Sequence, residues 1–362
     1  MTLTRGARIT GAVLCAVLAL LTIAWIVRDI RAADGPGPVW DYWAGTADLR
    51  DAPRPTTSAT SLVLLVAYVA AAVAALRSAS AGSVLIVTGV ITFALRLPGV
   101  WMVADAPAPE ELRDRALLTT YAVLAAAIGL IVAGAAGRRP VPEGEERPAG
   151  PGRGAGVAAF LLLGFQAVVF AGWEIRQPFV YPSELYPAWF IGGEPLNTPL
   201  TEGPPGWVTG VHILIFLVAA VGAVAGAAYA RPLGLIGGGF MLASGVLGVA
   251  RIVHYEMYEQ FLDMEFEAQL NMLSFVLSLL IAPIVLTVLA LKGGPRTPGG
   301  SPGPWGGSGP WGVQPPGYPP AAGPGVPPQA PGHPPASAPA PGFGPPQGGG
   351  FGPPPSSPPP RR

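Results

Sequence analysis

The sequence predicts an all-α integral membrane protein whose eight transmembrane helices form two parallel four-helix repeats, followed by a disordered Pro/Gly-rich C-terminal tail. Three observations carry that prediction. Half of the 362 residues are hydrophobic and only 12% are charged, about half of the roughly 25% usual in soluble domains. The apolar residues gather into eight runs of about twenty, the length at which a helix crosses a hydrocarbon core of about 30 Å. The composition also changes abruptly after Lys292, where 44 of the last 70 residues are Pro or Gly.

The runs cover residues 9–27, 60–76, 83–103, 116–136, 155–173, 208–230, 233–253 and 271–291. They lack the two-residue alternation of a barrel, so helices are the remaining way to satisfy every backbone hydrogen bond in lipid. The first run, preceded by Arg5 and Arg8, is read as a retained helix. It exceeds the usual length of a signal-peptide core, and Ala12, Val13 and Leu14 ahead of Cys15 do not make a lipoprotein site. Cys15 is the only cysteine, which excludes an intramolecular disulfide and a cysteine metal cluster. Lys292 is the only lysine against twenty arginines; with the abundance of Ala, Gly and Pro, this bias points to a GC-rich bacterial genome.

Basic residues near helix ends are retained on the cytoplasmic side. With the N-terminus inside, the cytoplasmic segments hold twelve basic residues, among them Arg5, Arg77, Arg138, Arg231 and Lys292, against Glu143, Glu145 and Glu146. The outer segments hold seven arginines against eighteen acids. Both termini are therefore expected in the cytoplasm, with the chain in the cell membrane. Seven tryptophans fall on the outer side: Trp25, Trp101 and Trp173 at helix ends, and Trp40, Trp43, Trp189 and Trp207 in loops. An indole prefers the interface, so these read as an anchoring belt. The alternative is a sugar- or lipid-binding platform completed by Tyr42, Phe179, Tyr181, Tyr186 and Phe190.

The repeat is visible in the order of features. Trp25-Ile-Val-Arg28 closes the first helix and Trp173-Glu-Ile-Arg176 closes the fifth. Each is followed by a long aromatic outer loop, a hairpin turning at Arg77 or Arg231, and an arginine near the end of the next helix, Arg96 or Arg251. Four helices is an even number, so the halves share one orientation, as in transporters built from parallel repeats. The expected divisions are 1–137 and 155–292 for the repeats, 138–154 for a cytoplasmic linker and 293–362 for the tail. Gly222 with Gly226, and Gly234 with Gly238, form GxxxG spacings that allow close helix contact.

Candidate functional residues are few. None of the eight apolar cores contains Asp or Glu, which argues against proton coupling through buried carboxylates. Arg96, near Pro98, and Arg251 are candidates for an anion or head-group site, with snorkelling toward phosphates as the simpler reading. His212 and His254 lie near the outer ends of the sixth and seventh helices, where Glu256 and Glu259 make a candidate metal or haem site. Ordinary interfacial histidines are the alternative. Glu256, Glu259, Asp263 and Glu267 form one stripe of an expected surface helix over 252–270, and Met257, Phe261, Met264 and Ala268 form another. In the tail, Pro315-Pro316-Gly317-Tyr318 matches a proline-rich docking ligand.

No nucleotide-binding loop, nucleophile elbow or kinase signature is present, and the scattered basic residues do not make a nucleic-acid interface. The reading is a non-enzymatic scaffold or assembly protein that contacts the lipid bilayer, with protein partners reached through the tail and the outer loops. The alternatives are a transporter or channel for a small solute or ion between the repeats, and a haem- or metal-binding redox protein. No cofactor and no oligomeric state is assigned.

Overall fold

Helix makes up 77% of the described residues in the computed structural model, which are 2–48, 55–140, 150–183, 185–193 and 198–291. The tail with Pro315, Pro316 and Tyr318, and most of the predicted linker, lie outside the described residues. In chain order the elements are β1 (Thr2–Leu3), α1 (Arg5–Ala32), α2 (Pro36–Ala44), α3 (Ala59–Arg77), α4 (Ala81–Arg96), α5 (Gly99–Met102), α6 (Glu110–Ala136), β2 (Arg138–Arg139), α7 (Arg153–Val180), α8 (Tyr186–Ile191), α9 (Pro205–Val224), α10 (Ala230–His254) and α11 (Phe266–Ala290). Among the described residues eight stretches are long and apolar enough to cross a membrane: α1, α3, α4 with α5, α6, α7, α9, α10 and α11. Each predicted run is one of these.

Local chemistry explains the ends. The Thr4 hydroxyl caps α1 by accepting from the Ala7 N–H, and the Ser58 hydroxyl caps α3 by accepting from the Thr60 N–H. The third span is interrupted at Leu97–Pro98, as a proline without an N–H requires, and resumes as the single turn α5. α9 stops six residues before the predicted end. Gly226 sits at φ +66°, and the N–H groups of Gly226 and Ala227 close on the carbonyls of Ala223 and Gly222 at 3.1 and 2.8 Å. This is a Schellman cap, so Gly222 and Gly226 end a helix rather than pack two together.

α10 ends the same way with a non-glycine residue. Glu256 takes φ +52°, and the N–H groups of Glu256 and Met257 bond to the carbonyls of Val253 and Ile252 at 3.2 and 3.0 Å. That cap occupies the carbonyls which would carry the helix on. The helix expected over 252–270 therefore does not form. The segment after His254 runs as mostly exposed turns until α11 begins at Phe266.

The first four spans pack with α1 against α3 and α6, and α4 against the same two. The second four pack with α7 against α9 and α11, and α10 against the same two. Across the two groups α10 meets α3 and α4, and α4 also meets α9. Glycine allows close approach at two of the seams. In α4–α6, a Cβ at Gly89 would stand 2.7 Å from the Ala127 carbonyl oxygen, and one at Gly134 2.8 Å from that of Gly82. In α10–α11, Gly234, Gly238, Gly245 and Gly248 face Leu289, Leu286, Leu279 and Phe275. The Gly234/Gly238 pair thus serves packing, as its spacing predicted.

Buried polar side chains tie helices together at mid-depth: the Gln166 amide donates to the Ser278 hydroxyl at 2.8 Å, and the hydroxyls of Tyr68 and Thr92 are 3.1 Å apart. Val66, Leu118, Leu161, Val168 and Leu214 point outward and are exposed. Apolar side chains directed away from a packed interior fit a surface that lipid covers.

The helix ends gather into two sets. At one, β1 pairs antiparallel with β2, Arg8 donates to the Leu76 carbonyl at 3.4 Å, and Arg231 donates to the Leu291 carbonyl. The opposite set carries α2, α8 and the tryptophan-rich connections, and is called the aromatic end below.

Candidate functional site

The densest polar construction lies at the aromatic end. Asp29, in the last turn of α1, is wholly buried with Thr56 and Thr57. Its Oδ1 accepts from the Thr56 hydroxyl at 2.7 Å and from Arg28 Nη1 at 2.9 Å. Its Oδ2 accepts from the Thr57 N–H at 2.8 Å and the Thr57 hydroxyl at 2.6 Å. The Thr56 N–H lies 3.0 and 2.9 Å from the two oxygens. Five donors on one carboxylate fix where the chain re-enters the bundle before α3, because a buried charge is tolerated only when its hydrogen bonds are complete. Sequence reasoning missed this group because Asp29 lies two residues beyond the first apolar run.

From this clamp a chain of bonds crosses to the second group of helices. The Thr56 carbonyl accepts from the N–H and hydroxyl of Thr201 at 3.0 and 2.6 Å. The Thr201 carbonyl accepts from Arg96, whose Nη2 also donates to the Ser61 hydroxyl at 3.0 Å. The reverse crossing is made by Arg251, whose Nε donates to the Ala44 carbonyl at 3.1 Å. Neighbouring Tyr255 donates its hydroxyl to the Gly45 carbonyl at 3.4 Å. Each arginine therefore latches a connection belonging to the other group of helices. Both arginines thus have backbone carbonyl acceptors, and the two have separate partners.

Arg96 also borders a cavity of about 30 Å³ with Thr22, Ser61, Tyr68 and Thr120, room for something the size of a water. The hydroxyls of Thr22 and Thr120 donate to the carbonyls of Leu18 and Ala116, each at 2.8 Å. Their oxygens meet the cavity as acceptors, beside the Arg96 guanidinium and the hydroxyls of Ser61 and Tyr68, so the lining offers both acceptors and donors.

Replacing Arg251 with alanine removes the latch on the α2 connection. The expected loss is about 1.5 kcal/mol, the lower figure for a hydrogen bond from a charged donor, with faster amide exchange in α2 than in α3. Unchanged exchange in α2 would show that the latch holds nothing.

The tryptophans behave as clamps more than as a belt. Five indole N–H groups donate to protein acceptors: Trp43 to the Thr57 carbonyl at 2.9 Å, Trp101 to that of Ile191 at 2.7 Å, Trp207 to that of Ala94 at 2.7 Å, Trp173 to the Ser274 hydroxyl at 3.2 Å and Trp189 to Glu174 Oε2 at 3.1 Å. Arg176, over the Trp173 ring at 5.8 Å, forms an ion pair with Glu267.

The structure does not bring the two histidines together. His212 packs among phenylalanines, with ring centroids 4.6 Å from Phe240, 6.3 Å from Phe216 and 6.5 Å from Phe170. Its buried Nε2 has no hydrogen-bond partner among the described residues. His254 stands fourteen residues beyond Phe240 on α10 and packs edge-on against Tyr255 at 4.8 Å. At 1.5 Å per residue that separation is about 21 Å along the helix. Equal depth would require a hairpin of equal arms, and α10 is the longer arm. Glu256 and Glu259 are exposed in the turns after α10, and no group of three or more His, Cys, Asp or Glu placed to hold a metal occurs among the described residues.

A larger cleft, of about 360 Å³, opens at the aromatic end between the α1 terminus, the connection from α5 to α6 and the residues after α8. Arg28, Trp101, Met102, Asp105, Leu112 and Gly192 are among its lining residues. Comparison of the chain with protein-family models, with curated proteins and with solved structures returns no match.

Proposed function

We propose that the protein is a non-enzymatic scaffold or assembly factor of the bacterial cell membrane, made of two parallel four-helix repeats with both termini cytoplasmic. The matched packing order within the two groups of helices supports the repeat. So does the reciprocity of Arg96 and Arg251, which stand at equivalent places in the sequence and reach opposite ways. The charge asymmetry supports the orientation: the end that gathers Arg8, Arg138 and Arg231 is the basic one. Residues 1–137 and 155–292 are the repeats, 138–154 the linker and 293–362 a proline-rich docking tail with Pro315, Pro316 and Tyr318.

The observation that carries the scaffold reading is the pair of reciprocal latches. A transporter that alternates access rocks one repeat against the other, whereas Arg96 and Arg251 bind the groups to each other at the aromatic end. This rigid end also displays a contact surface. Tyr258 and Leu262, in the turns between α10 and α11, are exposed by 55% and 87% outside any span. Large apolar side chains left in such a place mark a protein contact.

The test is recovery of partners from membranes. Deletion of 293–362 is expected to remove cytoplasmic partners, and Tyr258→Ser with Leu262→Ser to remove partners on the other side. If both forms retain every protein that accompanies the intact chain, the scaffold reading is wrong. Solute flux into liposomes that rises in Arg251→Ala would favour the transporter instead.

A further inference from the structure

We propose that the cleft at the aromatic end is a binding site for a zwitterionic phosphoammonium group, the chemistry shared by an ethanolamine-type phospholipid head and a free phosphoethanolamine. The site is separate from the partner surface at Tyr258 and Leu262 and does not depend on the scaffold reading.

Its walls are built rather than accidental. The Trp101 indole N–H donates to the Ile191 carbonyl at 2.7 Å and stands edge-on to Trp207 at 6.0 Å, which fixes the ring on one side. Next to Ile191, Gly192 adopts φ +89°, and a Cβ there would lie 2.9 Å from Met102 Cγ. The absence of a side chain lets Met102 pack against this turn. The volume of about 360 Å³ is at the small end of the roughly 300–1,000 Å³ range for ligand sites.

Among the described residues the lining carries one group of each charge. Arg28 gives one N–H to Asp29 and keeps 36% of its side chain exposed, with no other bond among the described residues. A guanidinium with donors in reserve is suited to a phosphate. Asp29 does not cancel that capacity, because the threonine donors also share its charge. Asp105 lines the same cleft, is exposed, and makes no hydrogen bond or ion pair among the described residues. Arg28 and Asp105 thus share a cleft without pairing to each other, which leaves the carboxylate for an ammonium beside the Trp101 ring. Met102, Leu112, Ile191 and Leu200 supply an apolar wall along which the first atoms of an acyl chain can lie.

Intact-mass spectrometry of the full chain, released from mixed phosphatidylethanolamine and phosphatidylglycerol nanodiscs, reads the lipid source. Thermal unfolding with added O-phosphoethanolamine reads the free one. One retained phosphatidylethanolamine per chain, at least tenfold over phosphatidylglycerol, assigns the site to a membrane lipid. Thermal protection by O-phosphoethanolamine without retained lipid assigns it to the soluble compound. In either case Asp105→Asn is expected to reduce binding at least tenfold, while Asp114→Asn, outside the cleft, changes nothing. Asp105 is exposed, so its substitution leaves the fold intact even where changes at Arg28 disturb the neighbouring clamp. The proposal is overturned if neither ligand binds, if phosphatidylglycerol is retained equally, or if Asp105→Asn binds as the parent does.

Discussion

Asp29→Ala is expected to destabilise the protein by about 3–5 kcal/mol, the range for removing one partner of a buried, hydrogen-bonded charge. The loss exceeds that of an ordinary hydrogen bond because the donors stay behind. The N–H and hydroxyl groups of Thr56 and Thr57 are buried and lose their acceptor together. Each such orphan carries its own desolvation penalty. Asp29→Asn keeps one acceptor oxygen but turns an amide N–H₂ toward the same donors, so the expected loss is about 1–3 kcal/mol. Unfolding in detergent measures both, and amide exchange at Thr56 and Thr57 gives the local readout. Retained protection of those amides in Asp29→Ala would show that something other than the carboxylate holds the connection.

The second large effect is expected at the α10–α11 seam. A Cβ at Gly245 would stand 2.5 Å from the Leu279 nitrogen and 2.7 Å from its Cα, so backbone must move to admit it. Gly245→Val should therefore cost about 3 kcal/mol, the upper part of the usual range for overpacking a well-filled contact. Gly164, on α7, provides the contrast. Nothing lies within 4 Å of its Cβ position, and alanine there should stabilise by roughly 0.5–1 kcal/mol because glycine is a poor residue in a helix interior. Equal effects at the two positions would mean that backbone entropy, not contact, governs the glycines of this bundle.

The glycines also show how far spacing can be read. Gly222/Gly226 and Gly234/Gly238 carry the same motif, yet one pair forms a helix cap and the other faces Leu289 and Leu286. The difference lies in whether the chain turns at the second glycine, and Tyr229 packed on Gly222 belongs to that turn. The acidic stripe from Glu256 misled for a related reason. Periodicity describes which residues would share a face, but the hydrogen bonds from Glu256 and Met257 had already closed α10. His212 and His254 both stand near the outer ends of their apolar runs, whereas depth in a hairpin is counted from the turn.

Arg96 and Arg251 are legible in the sequence as ionisable groups at the edges of apolar helices, but what they touch is not. Their acceptors are 105 and 207 residues away, and a carbonyl oxygen has no side-chain signature. The cleft is illegible for the same reason: Arg28 comes from the end of α1, Asp105 from the connection between α5 and α6, and Gly192 from the residues after α8.

By itself the sequence determined the eight spans and the separation of basic from acidic ends. Lipid makes a local demand, an apolar length sufficient to cross it, and each segment meets that demand alone. Only the tertiary structure decided the carboxylate clamp at Asp29, the crossed arginine latches and the cleft between the connections. These depend on which buried donor finds which acceptor, and that pairing exists only once the helices have packed.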